Sequence, residues 1–462
     1  MISNIKNTFL YFIKTFGCQM NVNDSEIISG QMNNMGYKMT SDINQADIII
    51  LNTCCVRKKV EDKIYSMAGT INQIKKEKPE LIFAICGCLA QKEKNNIQRR
   101  IPAVDIIFGP SQASSIKEIL ESFLIDKEKR SITYCNNREK FSLQNISINN
   151  NRHSSTSAFV QIMKGCNNFC SYCIVPYTRG PEESRPTEEI LNEIEKLADY
   201  NFKEIFLLGQ NVNSYGNGWK NQYNFLSLLS KINDISGIKR IRFTTSHPKD
   251  FNLDLIKVIK SNDKICEHIH LPIQSGSDNV LKKMNRKYDM NHYYYIIKNI
   301  RKYMPDASIT TDVMVGFPGE TEKDFEKTLE AFNSIQFDSS YSFIYSNREG
   351  TLASFFKEQI PLVIKKKRLW RLMDLQKIIS SKKNQNTIGK IVEILVENKS
   401  KKGIKNQYWG RTRTNKVVVF GDKGNLRLNN NPELLGHLVD VKILQADAYT
   451  LYGEMVNDHQ DK

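Results

Sequence analysis

The sequence has no apolar run approaching the length of a membrane span, which leaves no candidate for a transmembrane helix. Its start, "MISNIKNTFLYFIK", enters a strand-like pattern directly and lacks the h-region and small-residue cleavage site of a signal peptide. The cytoplasm is therefore the expected compartment. There, ten cysteines point away from a disulfide framework and towards metal or redox chemistry. Acidic side chains are in short supply: 50 Asp and Glu stand against 66 Lys and Arg, a formal net charge of +16. Part of that excess is compositional, since Lys, Asn and Ile are abundant throughout. It still favours a polyanionic partner, and without membrane features nucleic acid leads.

A chain of 462 residues is too long for one ordinary core, so two or three domains are expected. The first segment, residues 1–122, alternates short apolar runs ("TFLYFIK", "ADIIILN", "LIFAIC", "VDIIFG") with helix-like stretches. That alternation reads as an α/β domain with a parallel sheet. Residues 123–156 turn polar and Asn/Ser-rich, as a linker does. From 157 to 383 the alternation returns with six candidate strands, more than a small doubly wound sheet needs and fewer than an eight-unit barrel. A partial (β/α)6 barrel is the expectation. Residues 384–458 alternate apolar with polar or small residues over short strands, which predicts a small all-β barrel. The basic helical pattern "IKKKRLWRLMDLQKIISSKKNQ" joins it to the core.

The strongest local signal is "KGCNNFCSYCIVPYTRG". Cys166, Cys170 and Cys173 have the spacing C-x3-C-x2-C and follow the first strand of the second segment, where parallel βα folds gather their sites. Three thiolates fall one short of the set that a closed zinc site or an ordinary [4Fe–4S] cluster takes. Either a fourth cysteine closes the shell, or one iron keeps an open position for a small molecule. In the first segment, Cys18, the doublet Cys54–Cys55 and Cys88 lie just beyond three successive strands, so one sheet edge collects them, either as a second metal site or as unrelated core thiols. Cys86 still belongs to its strand and reads as a small buried hydrophobe. Adjacent side chains of the doublet point opposite ways in extended chain, so one cluster takes one of the two, and spacing does not say which. Cys135 and Cys266 have no evident partner.

The segments "TFGCQMNVNDSE", "NTCCVRKKVEDK", "GCNNFCSYCIVPYTRGPEESRP", "LLGQNVNSYG", "TTSHP", "HLPIQSGSDNVLKKMNR" and "TDVMVGFPGETEKDFEKTL" together resemble the radical S-adenosylmethionine methylthiotransferase family. Within it they are most similar to the branch that acts on N6-isopentenyladenosine (dimethylallyladenosine) next to the anticodon of tRNA. The C-terminal module, with "GRTRTNKVVVF", resembles the RNA-binding TRAM barrel. The resemblance implies insertion of sulfur and a methyl group at C2 of that adenine. This carbon carries no acidic proton, so a radical is needed. It implies two [4Fe–4S] clusters. One sits on Cys166, Cys170 and Cys173 and binds S-adenosylmethionine, the radical source and methyl donor. An auxiliary cluster sits on Cys18, Cys54 and Cys88 and holds the sulfur, which leaves Cys55 at a variable position. It further implies a tRNA substrate, an electron donor such as flavodoxin or ferredoxin, and a monomer.

Family analogy places Gln210 and Asn211 near S-adenosylmethionine, and Tyr172 is a candidate to line its adenine; strand-end packing is the alternative for each. Gly316 and Gly319 read as turn formers, with Thr321 as N-cap of the next helix and Asp324 three residues later. His247, His268 and His270 read as core histidines. Arg411, Arg413 and Lys416, with Tyr408 and Trp409 just before them, suit RNA backbone contacts with base stacking; the alternative is a charged hairpin. The rival functions are methylthiolation of N6-threonylcarbamoyladenosine in tRNA, of a ribosomal-protein aspartate, or, in a different class, a non-catalytic zinc-containing RNA-binding protein.

Overall fold

A computed structural model describes residues 9–55, 58–125, 132–135, 152, 154–219, 223–399, 407–421 and 434–458. The linker expected over 123–156 lies largely outside them. The chain forms two compact units: Met1–His153 with Gln161–Asn167 and Ile174–Glu189, and Ser154–Val160 with Asn168–Cys173 and Ile190–Lys462. Among the described residues, no helix is long and apolar enough to cross a membrane.

The first unit is built on a six-stranded sheet. Its strands are β1 (Leu10–Phe16), β2 (Lys38–Met39), β3 (Ile48–Thr53), β4 (Ile82–Gly87), β5 (Ile106–Phe108) and β6 (Ile132–Tyr134), in the order β2-β1-β3-β4-β5-β6. Every pairing is parallel. Sequence had shown β1, β3, β4 and β5; β2 and β6 are too short to announce themselves. The central strand β3, "IIILNT", is buried at every position, as a parallel strand covered on both faces must be. One face packs Ile49, Leu51, Phe83 and Ile85, and the other packs Ile48, Ile50, Ala84 and Cys86. In register, Phe16 pairs with Thr53 and Thr53 with Gly87. The chain therefore leaves three adjacent strands at one carboxyl edge. A two-stranded ribbon of β8 (Met163–Lys164) and β9 (Glu183–Ser184) also belongs to this unit.

In the second unit, β7 (Ser157–Gln161), β10 (Glu204–Leu208) and β11 (Arg240–Phe243) form one three-stranded sheet. The strands β12 (His268–His270), β13 (Ser308–Val315) and β14 (Ser339–Ile344) form another, with all its pairings parallel. A parallel bridge between Ile241 and Ile265 joins the two sheets, giving a six-strand partial barrel. Helices Thr187–Asp199, Phe225–Asn233, Leu253–Ser261, Met290–Tyr303 and Glu322–Ile335 supply the crossovers. The last begins with the expected capping box of Thr321 and Asp324 and follows two glycines at positive φ.

Helix Leu362–Gln385 leads to a closed five-stranded barrel of β15 (Ile391–Lys399), β16 (Gln407–Thr412), β17 (Val417–Gly421), β18 (Leu438–Ala446) and β19 (Thr450–Asp458). Alternate residues of β16 and β17 are buried, which is the period-two pattern read from sequence. The helix runs against its own amphipathic logic. Lys365, Arg368, Gln376, Ser380 and Asn384 face inward, and each is hydrogen-bonded there.

Candidate active site

In the first unit, Cys18 follows β1 and caps helix Gln19–Asn34, where its N–H donates to Asn21 Oδ1 at 3.3 Å. Cys54 follows β3, and its N–H donates to Phe16 O at 2.8 Å. Cys88 opens the short helix after β4, beyond Gly87 at φ +92°. A Cβ on Gly87 would stand 2.4 Å from Thr53 O, so only glycine lets the two strand ends close. The set expected from strand ends is thus delivered to one edge. The thiols meet in two pairs. Cys18 is lowered to about 5 by a hydrogen bond from Cys54, against burial, with help from the nearby Arg179 guanidinium. Cys88 is lowered to about 7 by a hydrogen bond from Cys55, against burial, again helped by Arg179.

The doublet therefore does diverge, but each member finds a thiol. Cys86 packs in the core on the other sheet face and burial pushes its thiol well up, as expected of a buried hydrophobe. Cys135 is pushed up to about 11 by burial.

Sequence reasoning passed over Arg179 and Asp24. They form a buried 2.7 Å ion pair across 155 positions of chain, and the guanidinium supplies the positive potential felt by Cys18 and Cys88. Asn21 and Asn52 brace the edge: Asn21 Nδ2 donates to Asn52 Oδ1 at 3.0 Å, and Asn52 Nδ2 to Asn21 O at 2.8 Å. Thiols held towards their anionic form beside a fixed cation are a donor set suited to iron–sulfur ligation. Among the described residues no three Cys, His, Asp or Glu groups are already gathered for a single metal ion.

The C-x3-C-x2-C loop begins in this unit. Gly165, at φ +74°, has no room for a Cβ, which would lie 1.8 Å from Pro181 O. Cys166 N–H donates to Gly180 O at 3.1 Å.

In the second unit, Cys170 is buried and Cys173 half-buried. Cys173 N–H donates to Cys170 O at 2.9 Å, so the two thiols share one tight turn. Arg286 Nη1 donates to Cys170 Sγ at 3.3 Å and its guanidinium lies 5.2 Å from the Tyr288 ring. His247 packs edge-on against that ring at 5.7 Å. Burial, then the Arg286 and Lys249 charges, lower His247 to about 2, so it is neutral at any working pH. Tyr172 packs edge-on to Phe317 at 6.4 Å, beside the apolar cluster of Val280, Met284, Tyr345 and Ala353.

Asn211 is a brace: its Oδ1 accepts from His247 N–H at 3.2 Å and its Nδ2 donates to Asp250 at 2.7 Å. Gln210 Oε1, both amide atoms of Asn213, His247 Nε2 and Arg286 Nε are buried without a hydrogen-bond partner. Such orphans call for an absent polar group. Thr245 and Gln274, just past β11 and β12, hold left-handed backbone at φ +68° and +62°, a strain typical of functional loops. His268 Nε2 and His270 Nδ1 both bond Thr310 Oγ1 at 3.0 Å.

The candidate RNA residues sit where the five-stranded barrel meets the rest of this unit. Arg413 makes a two-pronged ion pair with Glu267 at 2.9 and 2.8 Å. Lys416 lies 2.9 Å from Asn384 Oδ1 and 3.5 Å from Asp338. Arg411 lies 3.4 Å from Glu397 and 5.9 Å from the Trp409 ring. From the other side, buried Arg240 donates to Arg411 O at 2.6 Å, and buried Arg242 to Thr412 O and Arg413 O at 2.7 Å each. This segment is a docking joint, which the run of cations alone did not reveal.

Three family models match successive parts of the chain. Residues 10–109 match "Uncharacterized protein family UPF0004", 160–332 the Radical SAM superfamily and 385–456 the TRAM domain. A tRNA-2-methylthio-N(6)-dimethylallyladenosine synthase of Clostridium botulinum (strain Loch Maree / Type A3) is 46% identical over 449 residues, covering 96% of this chain and 97% of that one. The proteins of the same name from Desulforamulus reducens and Clostridium tetani are 44% and 46% identical, each over 99% of this chain and over 97% and 100% of their own lengths. Among solved structures, the radical S-adenosylmethionine methyltransferase TsrM of Kitasatospora setae, with cobalamin and a [4Fe-4S] cluster bound, superposes with a TM-score of 0.54 at 12% identity, over 75% of this chain and 77% of that one. At that identity the likeness is one of fold.

Proposed function

The chain belongs to the family of tRNA-2-methylthio-N(6)-dimethylallyladenosine synthases, and from that premise we propose that it inserts sulfur and a methyl group at C2 of N6-isopentenyladenosine beside the anticodon of tRNA. One observation carries the reading: the likeness to the synthases runs over nearly the whole chain, through both cysteine sets and the barrel. When bound, a [4Fe–4S] cluster with S-adenosylmethionine supplies a 5′-deoxyadenosyl radical, the chemistry an unacidic C–H bond requires.

Cys166, Cys170 and Cys173 hold that cluster. Arg286 supports the Cys170 thiolate by a charge-assisted hydrogen bond. Gln210, Asn213 and His247 offer S-adenosylmethionine their unpartnered polar atoms; Asn211 keeps the His247 backbone in place, and Tyr172 gives the site an aromatic wall. Cys18, Cys54 and Cys88 hold a second, auxiliary cluster for the transferred sulfur, with Arg179 offsetting the thiolates' charge. The enzyme works as a cytoplasmic monomer that draws electrons from a small donor protein of the flavodoxin or ferredoxin kind.

For tRNA, the segment of Arg411, Arg413 and Lys416 is the proposed contact on the barrel. Its cations are shared with Glu397, Glu267 and Asp338, so binding there exchanges ion pairs for phosphates and weakens as salt rises.

Mass spectrometry of tRNA nucleosides from a deletion strain tests the substrate. Loss of 2-methylthio-N6-isopentenyladenosine, restored by the wild-type chain and not by a Cys166/Cys170/Cys173→Ala variant, is expected. Unchanged levels of that nucleoside would sink the assignment.

A further inference from the structure

The inner face of the partial barrel is filled at one end and open further up. In register, His270 of β12 stands beside Thr310 of β13, and Asp312 stands beside Tyr341 of β14. Side chains alternate along each strand, so His268, His270, Thr310, Asp312 and Tyr341 share one face. The opposite face carries Ile269, Leu271, Ile309 and Val313, all buried, and takes the covering helices; Tyr293 of helix Met290–Tyr303 donates to Leu271 O at 2.8 Å. The polar set therefore looks into the barrel. Its lower end is closed. His268 is buried near the Arg242 and Arg411 charges, and Arg242 donates to Thr412 O, on the strand β16 of the small barrel. Its upper end reaches the cysteine loop: Met314, two residues past Asp312, packs with Tyr172 against the cluster of Val280, Phe317 and Tyr345. Thr310 to Met314 is roughly 13 Å of strand. Between the two ends the Tyr341 ring is 57% exposed and the Asp312 side chain 33%.

The hydrogen bonds at the lower end have one consistent direction. Thr310 Oγ1 lies 3.0 Å from both His268 Nε2 and His270 Nδ1, and a single hydroxyl proton cannot serve both. Burial, then the Arg242 charge, keep His268 neutral, with one ring proton. Its Nδ1 is buried without a partner, so that proton belongs on Nε2, where Thr310 accepts it. Thr310 then donates to His270 Nδ1. The His270 N–H is left on Nε2, 3.5 Å from Asp312 Oδ1 and on the open side. The Tyr341 and His270 rings meet edge-on at 6.0 Å. A fixed donor beside an exposed aromatic face is what a splayed-out base requires.

We propose that Tyr341 and His270 form the pocket for the target adenine, with Tyr341 stacked on its face and His270 Nε2–H donating to its N7. The proposal deepens the reading of the chain as a methylthiotransferase of adenosine in tRNA and rests on it. N7 is bonded to C5, the atom opposite C2 across the six-membered ring. A base held at N7 from the lower end therefore turns C2 upwards, to Tyr172 and the cysteine loop, where the reacting carbon has to be. Arg242 and the segment it holds limit how deep the base can enter. The anticodon loop offers an unpaired base, so entry costs unstacking and no base pair.

The test uses the full chain with its clusters assembled and two synthetic anticodon stem-loops. One carries N6-isopentenyladenosine; the other carries its 7-deaza analogue, which keeps the ring face and the N6–H but has C–H in place of N7. Equilibrium binding gives the ratio of the two affinities within one protein, and that ratio does not depend on how much of a preparation is folded. Wild type is expected to bind the adenosine form about tenfold tighter, and His270→Leu should bring the ratio to about one. Tyr341→Ala should weaken the adenosine form about tenfold, while Tyr341→Phe, which keeps the ring, should bind it as wild type does. A wild-type ratio of one, a wild-type ratio in His270→Leu, or wild-type affinity in Tyr341→Ala overturns the proposal. Equal weakening in Tyr341→Phe and Tyr341→Ala overturns it too, because the hydroxyl and not the ring face would then matter. Turnover separates the pocket from the reading it rests on. Wild type that methylthiolates tRNA carrying N6-isopentenyladenosine, yet shows no N7 preference, overturns the pocket alone. Wild type that leaves this tRNA unmodified overturns the proposed function, and the pocket with it.

Discussion

Arg242→Met is the sharpest perturbation of the joint that holds the five-stranded barrel. Arg242 pairs with Glu204 at 2.6 Å, with side chains 1% and 0% exposed. Burial opposes ionisation of Glu204, but Arg242 and Arg240 outweigh it and hold its carboxyl below the usual range. Removing one partner of such a pair costs about 3–5 kcal/mol, because the remaining charge is stranded. Thr412 O and Arg413 O lose their donor as well, about 1–3 kcal/mol for each that water does not reach. These terms are not additive. A loss of roughly 5 kcal/mol is the expectation, comparable with the whole stability of a domain.

The second variant, Glu204→Gln with Arg242→Met, removes the stranded charge and should recover about half of that loss while leaving the carbonyls unpaired. A chain of several folded bodies does not unfold in one step, so the readout is local: hydrogen exchange in β16 and β17. Exchange should be fastest in Arg242→Met and intermediate in the double variant. A double variant no better protected than the single one refutes the stranded-charge account. Wild-type protection in both refutes the joint.

The remaining predictions concern single side chains. Cys54→Ala should lower the iron content from about eight to about four, the loss of one four-iron cluster, and Cys55→Ala should leave it intact; iron and sulfide analysis that gives the reverse order reassigns the ligand. Glu320, buried against Arg368 at 2.7 Å, is raised by burial from 4.5 to about 7 despite the guanidinium. A carboxyl raised on folding contributes its stability below the unfolded value and loses it as pH climbs through 7. Between pH 4.5 and 7 the wild type should therefore lose up to roughly 3 kcal/mol relative to Glu320→Gln, read locally from hydrogen exchange in helices Glu322–Ile335 and Leu362–Gln385, corrected for the intrinsic pH dependence of exchange; parallel pH profiles of the two proteins would falsify it.

What sequence showed and what it hid divide along contact range. The C-x3-C-x2-C loop is legible because eight successive residues contain it. The strand-end cysteines are legible because parallel βα units place successive strand ends on one edge, a regularity that needs no long-range detail. Arg179 was quoted inside its motif without a role, because its partner Asp24 lies 155 positions away and nothing local marks a buried ion pair. Arg413 and Lys416 have the composition of an RNA contact, yet the fold brings Glu267, Asp338 and Asn384 to them. A cation's use depends on which acid the tertiary structure sets beside it. Helix Leu362–Gln385 is the same lesson turned inward: sequence showed only a basic helical pattern, and in the fold Lys365 and Arg368 reach buried carbonyl and carboxylate oxygens.

The doublet "NTCC" is where local and long-range information meet. Extended geometry correctly has Cys54 and Cys55 diverge, and from there one of them looks superfluous. The sheet order β1-β3-β4 changes that reading. The doublet leaves the middle strand, between the strand that delivers Cys18 and the strand that delivers Cys88, and it meets a thiol from each. Cys54 joins Cys18, the thiol brought lowest and the half of the set nearest to thiolate at neutral pH. Cys55 joins Cys88, among apolar side chains of the core. The cluster proposed on Cys18, Cys54 and Cys88, the set that the family pattern implies, would take one thiol from each of three adjacent strand ends and leave Cys55 beside Cys88.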